Sequence, residues 1–236
     1  MSMHLVVMTG AGISADSGVQ TFRDSDGLWE GHRPEDVATP EAWQRNAPMV
    51  WRFYQERRAQ LASVEPNAAH RALADADATL AARGDRLTLV TQNVDDLHER
   101  AGSTAIHMHG ELAVLRCESC GATIRDLKYT DPDAFLPCAA CSSKRLRPDV
   151  VWFGEVPYHL DVIEQAMRTC THFAAIGTSG QVWPAAGMLH TARELGARTW
   201  VQALELPSNA DPRDTFVAGR AAECVPNMLA RILERE

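Results

Sequence analysis

Apolar and polar positions along the chain follow two rhythms. Short apolar runs at residues 5–8, 87–90, 105–108, 173–176 and 198–203 have the length of buried strands. Between them, residues 48–62, 67–83, 160–168, 185–195 and 227–236 carry apolar positions three and four apart, the spacing of one helix face. Strands alternating with helices predict an α/β fold, a parallel sheet with helices on both faces. Two stretches break the alternation. Residues 31–74 read as a helical insertion without a strand, and residues 113–149 are short, Cys-punctuated and weakly periodic.

In an open α/β sheet, ligands bind beyond the carboxyl ends of the strands. The residues following these strands are unusually polar: Thr9-Gly-Ala-Gly12, Thr91-Gln-Asn-Val-Asp95, His109-Gly-Glu111 and Gly177-Thr-Ser-Gly180. In the first, Gly10 suits a tight turn, Gly12 a close backbone approach to a pyrophosphate, and Ala15 close packing of a helix whose N-terminus faces the phosphates. A Gly-rich turn between strand and helix is also often only a turn. A dehydrogenase fingerprint would continue into a second strand ending in Asp or Glu about 20 residues on. Here the chain runs instead into Thr21-Phe-Arg-Asp-Ser-Asp-Gly-Leu-Trp29, a polar loop suited to folding over a bound nucleotide. Hydride transfer is disfavoured.

Composition narrows the classes. The 236 residues are 45% hydrophobic and carry a formal charge of −8, which argues against nucleic acid or an anionic membrane as partner. Neither a leader-like start nor an 18-residue apolar run stands out, so the expected location is the cytoplasm, where cysteines stay reduced or bind metal. Cys117-x-x-Cys120 and Cys138-x-x-Cys141 have the spacing of a four-thiolate structural zinc site with no open position for a reactive water. Two disulfides, or a nucleic-acid-binding ribbon, are the alternatives. Cys170 and Cys224 read as small core residues.

Of nine histidines, His109 stands out because it ends an apolar run and precedes Gly110 and Glu111. A general base belongs at such a position. His98 and His107 read as structural supports, and the remainder as surface or satisfied core positions.

The segments GAGISADSGVQTFRDSDGLWE, TQNVDDLHERAG, HMHGE, the two CxxC knuckles, VVWFGE and GTSG occur in the order seen in the sirtuins, NAD-dependent protein-lysine deacylases. The chain resembles that family over nearly its whole length. Tyr54-x-x-Arg57, after Ala38-Thr39-Pro40, is similar to the bacterial and mitochondrial branch that removes acidic acyl groups. The resemblance implies a Rossmann-like large domain from 1–30, 75–112 and 150–236, a small domain formed by the two insertions 31–74 and 113–149, and between them a cleft in which a modified lysine's acyl oxygen attacks the nicotinamide ribose of NAD. His109 would then deprotonate a ribose hydroxyl, and acyl-ADP-ribose and free lysine would leave.

The resemblance places Gly10, Ala11, Gly12, Ser14, Ala15 and Gly18 of the turn around NAD, with Thr21, Phe22, Arg23 and Trp29 of the covering loop. Gln92, Asn93 and Asp95 supply a polar edge. Gly177, Thr178, Ser179, Ala203, Glu205 and Ala221 lie at the adenosine end. Ala38, Tyr54 and Arg57 line the acyl pocket, and the backbone of Val151, Trp152, Phe153 and Gly154 pairs with an extended substrate peptide. Taken alone, the helix around Tyr54 and Arg57 also reads as amphipathic, with Arg57 facing water or Glu56.

One departure stands out: the family's Asn-x-Glu after the last strand is Ala203-Leu-Glu205 here, which removes one hydrogen bond to the adenosine ribose, worth ~0.5–1.5 kcal/mol. The expected activity is removal of acetyl, malonyl and succinyl groups. Mono-ADP-ribosyl transfer is the competing enzyme reading, and a zinc-ribbon binding module without catalysis is a third.

Overall fold

The structure, a computed structural model, describes residues 2–20, 31–128 and 130–234. The chain enters through β1 (His4–Thr9) and passes through two short 3-10 turns at Ala11–Ile13 and Ala15–Ser17. After α1 (Pro34–Val37), α2 (Pro40–Leu61) and α3 (Ala68–Ala82) it forms β2 (Arg86–Thr91), α4 (Leu97–Arg100) and β3 (Ala105–His107). The excursion of β4 (Gly110–Cys117), β5 (Thr123–Arg125) and β6 (Leu146–Val150) follows. The chain ends with α5 (Leu160–Arg168), β7 (His172–Ile176), α6 (Ala185–Glu194), β8 (Arg198–Ala203), β9 (Thr215–Ala218) and α7 (Ala221–Leu233).

Six strands form one sheet in the order β3-β2-β1-β7-β8-β9, parallel throughout. In β1, Leu5 and Val7 point to the face covered by α3 and α7, while Val6 and Met8 point to the face covered by α5 and α6. Burial on both faces is why this strand is apolar without alternation. The sheet order reverses between β1 and β7, so the crevice beyond their carboxyl ends is a topological switch point, the favoured ligand position in such sheets.

The small domain is built on one apolar core shared by both insertions. Trp43, Val50, Trp51, Phe53 and Tyr54 of α2 pack with Leu112 and Leu115 of β4, Leu146 of β6 and Trp152. The buried guanidinium of Arg58 donates to the Leu112 carbonyl. The expected boundary at 74/75 falls inside α3 and is corrected here: Ala69, Leu73, Ala76 and Leu80 all lie in the core under the large sheet. The helix belongs to the large domain from its cap, where Asn67 Oδ1 accepts from Ala69 N at 2.9 Å and His70 Nδ1 accepts from Asn67 N at 3.3 Å.

Two further expectations shift. Helix α2 begins at Pro40, not Pro48. Its two segments meet at Asn46 (φ −152°, ψ 68°), whose side chain accepts from Met49 N at 3.3 Å and so caps the second segment. Helix α7 begins at Ala221, ahead of Pro226, because the Asp16 carboxylate reaches across the fold to accept from Ala222 N (3.1 Å) and Arg220 Nε (2.7 Å).

Candidate active site

The strand-to-helix turn after β1 is tighter than its sequence suggests. Instead of a helix N-terminus, Ala11 and Ala15 each open a 3-10 turn, and Gly18 closes the second with φ 92°. The glycines fit a backbone-to-backbone contact. Gly12 N donates to Gly177 O at 2.8 Å, and a Cβ on Gly10 or Gly12 would stand 2.8 Å from atoms of Gly177. Gly177 itself has φ +61°, and a Cβ there would lie 2.4 Å from Ile13 N. No other residue type satisfies both the left-handed backbone and the contact. The loops after β1 and β7 are thereby locked together at the switch point, with Thr178 beside them accepting from Gln92 Nε2 at 2.9 Å. Gln181 N lies 3.4 Å from Ser179 Oγ.

Ser14 stands at the centre of a buried polar network. Its hydroxyl donates to Asp95 Oδ2 (2.9 Å) and accepts from Asn93 Nδ2 (3.1 Å), and His70 Nε2 lies 3.5 Å away. Burial pushes the Asp95 carboxyl up from the ordinary value, against the bonds from Leu97 N and Ser14. Beneath, Thr9 donates to Thr91 (2.8 Å), so the 3.0 Å contact from His98 Nε2 is an N–H donated to Thr9. The His98 ring lies 4.9 Å from His70, tilted by 60° to it. Burial drives both pKa values down, to about 3 for His98 and about 4 for His70. His70 was not singled out from sequence; the signal was present in Asn67-x-x-His70, a capping box that pins the ring under the turn.

His109 follows β3 with its Nδ1 3.1 Å from the Gln92 carbonyl. A carbonyl only accepts, so Nδ1 carries the proton and Nε2 keeps its lone pair. Burial lowers the pKa, opposed by the Gln92 bond. The ring is therefore neutral at pH 7, with one nitrogen anchored and the other able to take a proton.

At the far end of the crevice, Ala203 closes β8, its carbonyl accepting from Gly219 N at 3.1 Å, and Ala221 is buried at the start of α7. Glu205 is exposed beyond the strand end. The buried amide next door belongs to Gln202, whose Nε2 donates to Gly219 O at 2.6 Å.

In the small domain, Ala38 is buried and its carbonyl accepts from Phe153 N at 2.9 Å. Tyr54 is fully enclosed, and Trp152 Nε1 donates to its hydroxyl at 2.9 Å. Burial holds that phenol protonated, well above its usual range. Arg57 lies over the Phe53 ring at 3.8 Å and donates through Nη1 to Phe53 O (2.7 Å) and Glu56 (3.3 Å). The 151–155 stretch is braced by Arg147, which stacks 3.3 Å over Trp152 and pairs with Glu155 at 2.8 Å. The N–H groups of Val151, Trp152 and Phe153 are committed to His109 O, Glu155 Oε2 and Ala38 O. A peptide laid along this stretch would meet its carbonyls and Gly154 instead of those donors. Thr21, Phe22, Arg23 and Trp29 lie outside the described residues.

The four knuckle cysteines bring their Sγ atoms within 4.8 Å of one another, with 3.7 Å between Cys117 and Cys141 and between Cys120 and Cys138. Zn–S bonds of about 2.3 Å set tetrahedral S···S edges of about 3.8 Å, so the donor set matches zinc in kind and spacing. Each knuckle closes with a left-handed residue after its second cysteine, Gly121 (φ 75°) and Ser142 (φ 60°).

Residues 10–184 match the model of the Sir2 family. A protein of Caulobacter vibrioides named NAD-dependent protein deacylase is 51% identical over 235 residues, covering 99% of this chain and 98% of its own. A solved Sir2 homologue–NAD complex is 36% identical with a TM-score of 0.87, over 98% of this chain and 90% of its own. The structure of Sir2Af2 bound to a myristoylated histone peptide is 31% identical with a TM-score of 0.75, over 98% and 91%. This chain belongs to the Sir2 family.

Proposed function

We propose that this protein is an NAD-dependent protein-lysine deacylase of the cytoplasm. The carrying observation is the neutral His109 ring, anchored through Nδ1 with Nε2 left to accept a proton. That base sits at the end of a switch-point crevice lined by Ser14, Asn93 and Asp95. The names of the full-length relatives and the NAD-bound neighbour support the same reading.

NAD would lie across the interlocked loops, with the adenosine end toward Gly177–Ser179, Ala203, Glu205 and Ala221. When bound, it supplies a ribose carbon with nicotinamide as leaving group and carries the acyl group away as acyl-ADP-ribose. The chain's own part is to hold fixed dipoles around developing charge and to keep water out. His109 accepts the hydroxyl proton at Nε2, while the Gln92 carbonyl stabilises the imidazolium that results. Zinc on Cys117, Cys120, Cys138 and Cys141 is structural in this reading. Thr21, Phe22, Arg23 and Trp29 keep their proposed part in the covering loop.

The substrate is an acylated lysine in an extended protein segment, as the histone-peptide complex of the relative suggests. Ala38, Tyr54 and Arg57 are proposed to admit and read a carboxylate-ended acyl chain, so that succinyl and malonyl are removed as well as acetyl. The test is mass spectrometry of acetyl-, malonyl- and succinyl-lysine peptides with purified protein and NAD. Acyl-ADP-ribose and nicotinamide must appear together and only with an acyl peptide. Transfer of ADP-ribose to protein without acyl removal would replace this reading with the transferase.

A further inference from the structure

The segment carrying His109 grips the loop after β2 by three successive carbonyls. Gln92 O accepts from His109 Nδ1 (3.1 Å), Asn93 O from His107 Nδ1 (3.1 Å) and Val94 O from Leu112 N (2.8 Å). With its carbonyls bound on that side, the loop presents its amides elsewhere: Gln92 to Thr178 and Asn93 to Ser14. Among the described residues, His107 is the one of the three donors with a second partner, its Nε2 3.1 Å from Glu99 Oε1. Both its ring nitrogens therefore face oxygens. A neutral ring would set a lone pair against one of them, whereas an imidazolium beside an ionised carboxylate satisfies both. The ring is 8% exposed, and a buried ion pair is a poor source of stability. A neutral amide could hold the carbonyl with less desolvation, which leaves rigidity of the loop as what the charge adds.

We propose that the His107–Glu99 pair is a positioning device for the cofactor pocket: the imidazolium clamps the Asn93 carbonyl and thereby sets the direction in which Asn93 and Asp95 face the cofactor. The proposal rests on the NAD-binding reading above and concerns a residue that takes no part in the chemistry. The charged or titratable groups facing His107 are Glu99 of α4, Glu111 of β4, Asp95 of the loop, and His98, which stays neutral. Burial works against charge on the ring, but Glu99 outweighs it and the pKa is raised. The clamp is thus closed below the ordinary histidine range and opens as pH rises through the raised value.

Imidazole ¹⁵N resonances of the zinc-loaded protein, with calorimetric NAD affinity measured from pH 6 to 9, test this without requiring turnover. In the wild type His107 should carry two ring protons at pH 7, and NAD affinity should fall about tenfold across its titration, the scale of one charge-assisted bond. Glu99→Gln keeps an acceptor opposite Nε2 and for Ala105 N while removing the charge. It should shift both the ring titration and the affinity limb to lower pH together. A singly protonated His107 in the wild type at pH 7, or an affinity limb that does not move with the ring titration, overturns the proposal. If both signatures appear but no acyl peptide turns over, the deacylase reading fails and the clamp stands.

Discussion

Acidification should undo this fold through two neighbouring buried histidines beneath the active site. His70 and His98 are both fully buried, and burial holds their pKa values at about 4 and about 3, against about 6.5 in an unfolded chain. Folded values below the unfolded one mean that their contribution is complete above pH 6.5 and is lost as pH falls. From pH 6.5 to 4.5 the excess of protons on the unfolded state rises from about one to nearly two. The resulting mean slope is about 2 kcal/mol per pH unit, or roughly 4–5 kcal/mol over the interval. A domain has about 5–15 kcal/mol in all, so the loss is a large share of what holds it. Because the rings lie 4.9 Å apart, a first proton makes the second harder to add, which acts in the same direction. Urea unfolding followed by tryptophan fluorescence at pH 7.5, 6.5, 5.5 and 4.5 measures the slope. Zinc release in acid is common to all variants and cancels in comparison. His98→Gln and His70→Gln should each flatten the slope by about half. Curves for the three proteins that run parallel would refute the reasoning.

Replacing Cys117 or Cys138 by Ser should release one zinc per chain and melt the small domain, seen by metal analysis and by greater exposure of Trp43 and Trp51 to quencher. His109→Ala should leave the melting temperature and NAD binding nearly intact while lowering kcat by ~10²–10⁴-fold; more than about a tenth of the activity remaining would exclude the base role. Arg57→Met should raise KM for succinyl-lysine peptide by the ~1.5–3 kcal/mol of a charge-assisted bond and leave acetyl-lysine turnover within about twofold. Equal losses on both substrates would assign Arg57, already bonded to Phe53 O, to the fold.

Elements set by strong periodicity were legible at residue level. Helix α5 spans residues 160–168 as its pattern predicts, and β8 spans 198–203. The start of α2 was missed for a local reason, the cap that Asn46 places between its two segments; the other misses depend on a tertiary partner. Strand β9 is four residues, three half-buried and Ala218 exposed, that become a strand only by pairing with β8. The first turns of α7 precede a proline and are secured by Asp16, about 200 residues earlier in the chain. The glycine turn was correctly placed, yet its glycines answer to Gly177, a contact that spacing within one motif does not reveal. Among candidate site residues, local motifs drew attention to His109, Ser14 and Asn93. His70 was passed over because its role comes from the ring it packs against and the hydroxyl it approaches.

The small domain's single core also constrains how the chain can acquire its shape. Trp43, Trp51 and Tyr54 leave the ribosome about a hundred residues ahead of Leu146 and Trp152, which complete their packing. Until then α2 is an amphipathic helix with its aromatics uncovered, the kind of surface on which nascent chains associate wrongly or recruit chaperones. The long loop that closes this core must form before its contacts repay the lost chain entropy, which makes it a slow step. The zinc knuckles, by contrast, close over short local segments. Metal capture can thus assemble β4 and β6 as a ready-made lid that settles onto a waiting helix, and zinc supply during synthesis would govern yield more than the final stability does.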